Sequence, residues 1–249
     1  MQQIITLTKK DIKLLFLDKT SIIVTFALPV VLAALIGSVF VNSFPPSVGI
    51  SSYDYAFSKV MFWGLIGGVA SSVASLAIEK NSGTIVRIQL APVRKFELMA
   101  GKALACIFMI LLSTILTWTF ATTLFGIKTS SYVGLIVICL SNAVFFAGLM
   151  TFLAHFVSTE RAAGALSWSV LQILACFSGI MFPIAIMPPW MANATNFNPM
   201  MWAVKAMEVA LWKGGTFNEL LWPVTIPFVS GLALFMLSTL LFRWGSKNG

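Results

Sequence analysis

The sequence predicts an all-α polytopic membrane protein. Three observations carry that expectation. Of 249 residues, 59% are hydrophobic and only 10% are charged, where a soluble domain carries roughly a quarter. Apolar runs recur at or near the ~20 residues that a helix needs to cross the hydrocarbon core. Basic residues gather in alternate connectors between those runs, as a multi-pass chain obeying the positive-inside rule would place them.

The elements follow in chain order. Residues 1–20 set Ile4, Ile5, Leu7, Ile12, Leu14, Leu15, Phe16 and Leu17 among lysines. That mixture predicts an amphipathic helix lying in the membrane interface; a loosely ordered basic tail is the alternative. The stretch lacks the compact apolar core and cleavage site of a signal peptide, so it is expected to be retained. Residues 21–249 are expected to form a single transmembrane domain. Its six predicted spans cover about 21–41, 57–78, 100–125, 132–157, 163–182 and 220–244.

Charge then orients the spans. One side receives the N-terminus, the second-to-third connector, the fourth-to-fifth connector and the C-terminus. That side holds twelve of the sixteen Lys and Arg residues; the other holds Lys59, Lys128, Lys205 and Lys213. The asymmetry predicts that both termini are cytoplasmic, in the cytoplasmic membrane, and it requires an even number of spans. The net charge of +8 is explained by this topology, and no nucleic acid is called for.

The segment 183–215 does not read as a simple span. Pro183, Pro188, Pro189 and Pro199 break it, and the apolar stretch from Pro199 to Trp212 is too short to cross. Two short helices that dip into the outer leaflet and return fit this pattern. Broken backbone at that depth must be shielded by protein or face a water-filled cavity. An interfacial loop without a transport role is the alternative. Lys205 and Glu208 are spaced to pair along one helix face. Trp190, Trp202 and Trp212 suit the headgroup level.

The connector "EKNSGTIVRIQLAPVRKFELMAGK", Glu79 to Lys102, carries five of the sixteen basic residues. Gly83 interrupts the helix of the second span. "TIVRIQL" predicts a short helix, Pro92 stops it, and "VRKFELMAGK" restarts a helix leading into the third span. Topology alone does not need a connector punctuated by Gly and Pro with apolar positions. The loop looks built to contact another protein, with a plain solvated loop as the alternative.

The pattern Glu79-x3-Gly83-Thr84-x2-Arg87-x4-Pro92-x8-Gly101-Lys102 resembles the ABC-2 type transporter permeases, membrane subunits of ATP-binding-cassette exporters. The C-terminal "SGIMFPIAIMPPW…NPMMWAVKAMEVALW" resembles the same family through Gly179, Pro183, Pro189, Trp190, Asn198 and Pro199. The resemblance covers the interfacial helix, six spans, the connector and a re-entrant hairpin. It implies that residues 79–101, with Lys102, form a coupling element resting on a separate cytoplasmic ATPase present in two copies. Glu79 and Arg87 would be polar anchors there. Two permeases, identical or similar, would pair; ATP and Mg would be bound by the partner, and no cofactor or metal by this chain. Where many relatives carry an acid and then Arg-Leu after Gly-Thr, this chain reads "IVRIQL".

Absences narrow the chemistry. No G-x-x-x-x-G-K-[ST] loop occurs, so the chain has no such nucleotide site and is not expected to be an enzyme. The predicted spans hold almost no ionisable groups, which argues against a proton-coupled carrier. His155, the only histidine, is read as a hydrogen-bonded structural residue. Cys106, Cys139 and Cys176 sit in apolar runs as small hydrophobes. No nucleophile–base pair or metal set is visible.

In the second span, Gly64, Gly68, Ser71, Ser72 and Ser75 make a small-residue face suited to close helix packing. The family resemblance implies instead that the second and fifth spans flank the path. Candidates to line it are then Phe62, Trp63, Ser71, Ser75, Trp168, Gln172 and Phe177. Asn142 and Gln172 are mid-span amides expected to hydrogen-bond to neighbours. The expectation is export of a hydrophobic or amphiphilic, drug-like or antibiotic-like compound. Export of a lipid-linked glycan is the alternative within the class, and a non-transporting membrane scaffold or sensor the alternative outside it.

Overall fold

The computed structural model describes residues 2–17, 19–39, 52–90, 93–127, 129–182, 184–213 and 217–242. Pro92, Lys128, Pro183, Arg243 and Lys247 lie outside these residues, as do the side chains of Ser71, Lys80 and Trp212. All regular structure among the described residues is helical.

Helix α1, Gln2–Leu17, is amphipathic in an unusual sense: it buries Asp11 and Leu15 and leaves Ile5, Leu14, Phe16 and Leu17 exposed. It lies along α6, Lys95–Phe125. The two approach closely at Gly101, where a Cβ would stand 2.9 Å from the Leu7 Cβ. The Thr8 hydroxyl donates to the Gly101 carbonyl at 3.2 Å.

Helices α2, Lys19–Ile22, and α3, Leu28–Val39, are joined by a π-helical turn at Ile23–Ala27. Pro29 explains part of this local irregularity. It has no N–H to give the carbonyl four residues back, which is that of Thr25, and the Ser113 hydroxyl of α6 donates to that carbonyl at 2.9 Å. Helix α4 runs Ser52–Asn81 and the short α5 runs Thr84–Gln89.

Capping fixes the remaining boundaries. The Glu97 carboxylate accepts the Arg94 N–H at 2.8 Å at the start of α6, the half of a capping box that an arginine N-cap allows. Gly126, at φ +64°, ends that helix in the left-handed region. Ser131 caps α7, Tyr132–Leu153, and Thr159 caps α8, Glu160–Cys176. Two short helices follow, α9, Pro189–Thr195, and α10, Pro199–Glu208, the latter continuing as a π-helical turn at Val209–Lys213. Helix α11, Phe217–Leu241, completes the chain's described part.

Helix α7 is central and α11 peripheral: 72% of the apolar window of α7 is buried inside the molecule, against 17% for α11. They touch backbone to backbone at Gly148 and Gly231, where neither residue could carry a Cβ without striking the other helix. Pro223 and Pro227 interrupt the bonding of α11. The Ser141 hydroxyl of α7 donates to the nearby Val224 carbonyl at 2.6 Å. His155 Nε2 and Ser238 Oγ, 2.8 Å apart, join the end of α7 to α11, with Phe242 edge-on to the imidazole. This is the structural role expected of the histidine.

Lys95–Phe125, Tyr132–Leu153 and Asn218–Leu241 are long and apolar enough to cross a membrane, and Thr25–Val39 is a shorter apolar helix. The outer faces of α6 and α11 expose Phe108, Ile115, Leu124, Trp222, Phe228 and Leu240. Surfaces of this kind belong against hydrocarbon rather than water.

Candidate functional site

The connector between α4 and α6 has a buried base and an exposed tip. Gly83, at φ +69°, turns the chain sharply after α4, a conformation that costs glycine little. The hydroxyls of Ser82 and Thr84 meet at 2.8 Å across this turn. Helix α5 then directs Ile85 inward, half-buries Ile88 and exposes Arg87. Leu90 follows at 86% exposure, and Arg94, Lys95 and Phe96 are exposed beyond it. Phe96 is braced edge-on by Phe235 of α11, centroids 5.9 Å apart.

The base is ionic. Lys102 Nζ lies 2.7 Å from Glu79 Oε2 and 3.3 Å from Asp11 Oδ2. Lys10 Nζ bonds the other Glu79 oxygen. Helices α1, α4 and α6 are thereby tied at one point. The side chains of Lys102, Glu79 and Asp11 are 4%, 6% and 7% exposed, so water screens these pairs poorly. Burial works to raise the Glu79 carboxyl, but Lys102 and Lys10 together outweigh it and hold the group below its ordinary value. At Asp11 burial prevails, aided by the charge of Glu79, and its carboxyl is raised despite Lys102 and Lys10.

The motif residues therefore divide. Glu79, Gly101 and Lys102 belong to the base; Gly83, Thr84 and Arg87 form the turn and the tip. Glu79 points into its own chain, and Arg87 is the motif's exposed charge. Lys10 and Asp11 were not singled out from sequence as partners of Glu79. The single hint was an acid set among lysines in an amphipathic segment. The tip presents cations and a protruding leucine, with no nucleophile–base pair beside them among the described residues. Among the described residues, no cluster of three His, Cys, Asp or Glu could hold a metal ion.

The path candidates are dispersed. Phe62 is fully buried, 6.4 Å from the Phe146 ring, and Trp63 is half-buried against the same core. Ser75 lines a small pocket. On α8, which packs along α4, Trp168 is exposed and the Gln172 amide approaches Met181 Sδ at 3.0 Å. Phe177 stands edge-on to Trp190, centroids 6.4 Å apart. Asn142 departs from expectation: it is 1% exposed, and among the described residues neither amide atom has a hydrogen-bond partner.

Turn residues set the local structure within 184–213. Pro189 and Pro199 occupy the first turns of α9 and α10, where a missing N–H costs nothing. Asn198 caps α10 by accepting the Met200 N–H at 3.0 Å. Its amide donates to the Leu174 carbonyl of α8 at 2.7 Å, so the cap also fastens the segment to α8. The anticipated Lys205–Glu208 pair gives way to other partners. Glu208 binds Lys59 of α4 at 3.0 Å and Lys213 at 2.6 Å. Lys205 sits 4.7 Å from the centre of the Trp202 ring instead. Lys59 on another helix and Lys213 take the carboxylate in place of the lysine at the predicted spacing.

A comparison with family models matches residues 2–212 to the family described as ABC-2 type transporter. A comparison with curated proteins finds no match.

Proposed function

Because the chain belongs to the ABC-2 type transporter family, we propose that it is the permease subunit of an ATP-powered exporter. It is a membrane transport protein and not itself catalytic. Its cargo, on this reading, is a hydrophobic or amphiphilic compound moved outward across the cytoplasmic membrane. A separate ATPase, in two copies and carrying ATP and Mg, supplies the energy, and two permeases pair.

The observation that carries the reading is the build of the 79–102 connector. An exposed tip, with Arg87, Leu90, Arg94 and Lys95, stands on a base whose ion pairs join three helices. A force applied to the tip passes into α4 and α6 together rather than bending a loop. The aromatic character of the path candidates Trp63, Trp168 and Phe177 suits an amphiphile better than a bare ion. On this reading the six spans are α2 through α3, α4, α6, α7, α8 and α11. Helices α9 and α10 are then the re-entrant hairpin, and the Lys- and Arg-rich side faces the cytoplasm.

Co-purification tests the proposal. The chain is expressed with candidate ATPase subunits from the same source, as wild type and as Arg87→Ala/Leu90→Ala. The expected result is a one-to-one complex for wild type and loss of the ATPase, without loss of folded permease, for the variant. If no ATPase is ever retained, the exporter reading fails and a non-transporting scaffold takes its place.

A further inference from the structure

Beside the ionic base lies a pocket of about 10 Å³. Asp11, Leu15, Ser72, Ser75, Lys102 and Ala105 line it. Asp11 is 5% exposed and divides its two oxygens unequally. Oδ2 accepts from Lys102 at 3.3 Å. Among the described residues Oδ1 has no hydrogen-bond donor, and Lys10 Nζ stands 3.8 Å away, beyond hydrogen-bond reach. A buried carboxylate oxygen without a donor is costly, and Asp11 is one of the residues that line the pocket.

Size, charge and lining each restrict what could fill it. The volume is at the lower limit, roughly 10–15 Å³, for one water. Two ammonium groups, Lys10 and Lys102, balance two carboxylates, Asp11 and Glu79, so no net charge is left to hold an ion. A cation would face Lys102, and an anion would face Asp11. The Ser72 and Ser75 hydroxyls give a water acceptors and donors besides Asp11, within the two to four polar partners that buried waters use.

We propose that this pocket is a buried hydration site holding one water, which donates to Asp11 Oδ1 and bridges the N-terminal helix to the serine face of α4. The water adds to the Lys10–Glu79 bond a second polar link between α1 and α4. It also gives Ser75 a role in hydration, separate from any contact with cargo. The assignment does not depend on the transport reading.

Met150, 1% exposed, also lines the pocket and reports on it. Radiolysis of a bound water generates hydroxyl radical in place and oxidises an adjacent methionine sulfur. The experiment is synchrotron hydroxyl-radical footprinting of the purified full chain, with an electron cryo-microscopy map sharp enough to show ordered water. The expected result is labelling of Met150 several-fold above that of the equally buried Met200 and Met201, with one density peak at hydrogen-bond distance from Asp11 Oδ1. Ser75→Val, which fills the space, should abolish both; Ser75→Ala, which removes one partner and is the milder change, should lower the labelling. An empty pocket with Met150 labelled no more than Met201 overturns the proposal. So does a peak whose height follows the salt concentration, which would mark an ion.

Discussion

Two ionic clusters hold the two ends of α4, and they are built differently. Glu79 follows Lys59 by about 20 residues, roughly 30 Å of helix, which is the thickness of a bilayer's hydrocarbon core. At the Glu79 end, two cations and two anions from α1, α4 and α6 balance, and Lys102 is 4% exposed. At the Lys59 end, one carboxylate, Glu208, serves two cations. Lys59 and Glu208 are 12% and 13% exposed and Lys213 is 46% exposed. Lys59 has a further neighbour in the Tyr55 ring, 4.9 Å from its ammonium. The first cluster is a closed joint among helices that continue into the core. The second is a half-wet clasp between α4 and the short α10.

Glu79→Ala should have the largest effect. It leaves Lys102 buried with only Asp11, and breaking a buried pair from one side costs about 3–5 kcal/mol. Thermal unfolding in detergent measures this. Glu79→Leu/Lys102→Leu should recover part of the loss, because an apolar replacement of both partners strands no charge. Glu208→Ala should cost less, about 1–2 kcal/mol, between the values for exposed and buried pairs. Lys59 keeps its aromatic neighbour and some solvent. Equal losses for the two single variants would break the comparison.

Acid separates the two ends further. Both Glu79 and Glu208 are held below the ordinary value of 4.5 by their lysines, against burial. Their contribution is complete above that value and disappears as pH falls through the folded values. Asp11 works in the opposite sense, because burial raises it above 3.8. The native state binds that proton more tightly than the unfolded chain, so protonating Asp11 adds stability as pH drops through its raised value. Protonation of Asp11 therefore opposes the acid loss that Glu79 and Glu208 cause. Asp11→Asn should remove that opposing contribution and leave the loss below about 4.5 in place. An acid profile unchanged in Asp11→Asn would place the opposing contribution outside the α1–α4–α6 cluster.

The sequence announces these two regions unequally. Gly83, Asn198 and Pro199 act on their own neighbours, and the turn after α4 and the start of α10 stand where those residues put them. The short helix at Thr84–Gln89 was legible for the same reason. The pairings were not. Glu79 meets Lys102 because α4 packs against α6, and α1, lying along α6 through Gly101, brings Asp11 and Lys10 to the same point. Nothing within a few residues of position 79 encodes that packing. Lys205 and Glu208 had the right helical spacing, yet Lys59 from α4 takes the carboxylate. Asn142 shows the same limit from the other side: an amide in an apolar run advertises a partner, and the packing of α7 supplies none among its described neighbours. Local grammar fixes turns and caps; the ion pairs are decided by which helices lie together.

The smallest effect on stability belongs to the tip that the closed joint supports. Arg87 is exposed on α5, so Arg87→Ala should change unfolding by no more than about 0.5 kcal/mol. If force enters through this tip, the same variant should lose transport and ATPase coupling while its folded fraction stays at the wild-type level. Glu79→Gln is the informative partner. It keeps the shape of the base and removes the charge facing Lys102, so stability and coupling should fall together. Loss of function without loss of stability at Arg87, and loss of both at Glu79, would separate the surface that receives a push from the joint that transmits it. Wild-type coupling in Arg87→Ala would move the receiving surface to Leu90 or to the basic pair Arg94 and Lys95, all carried on the same base.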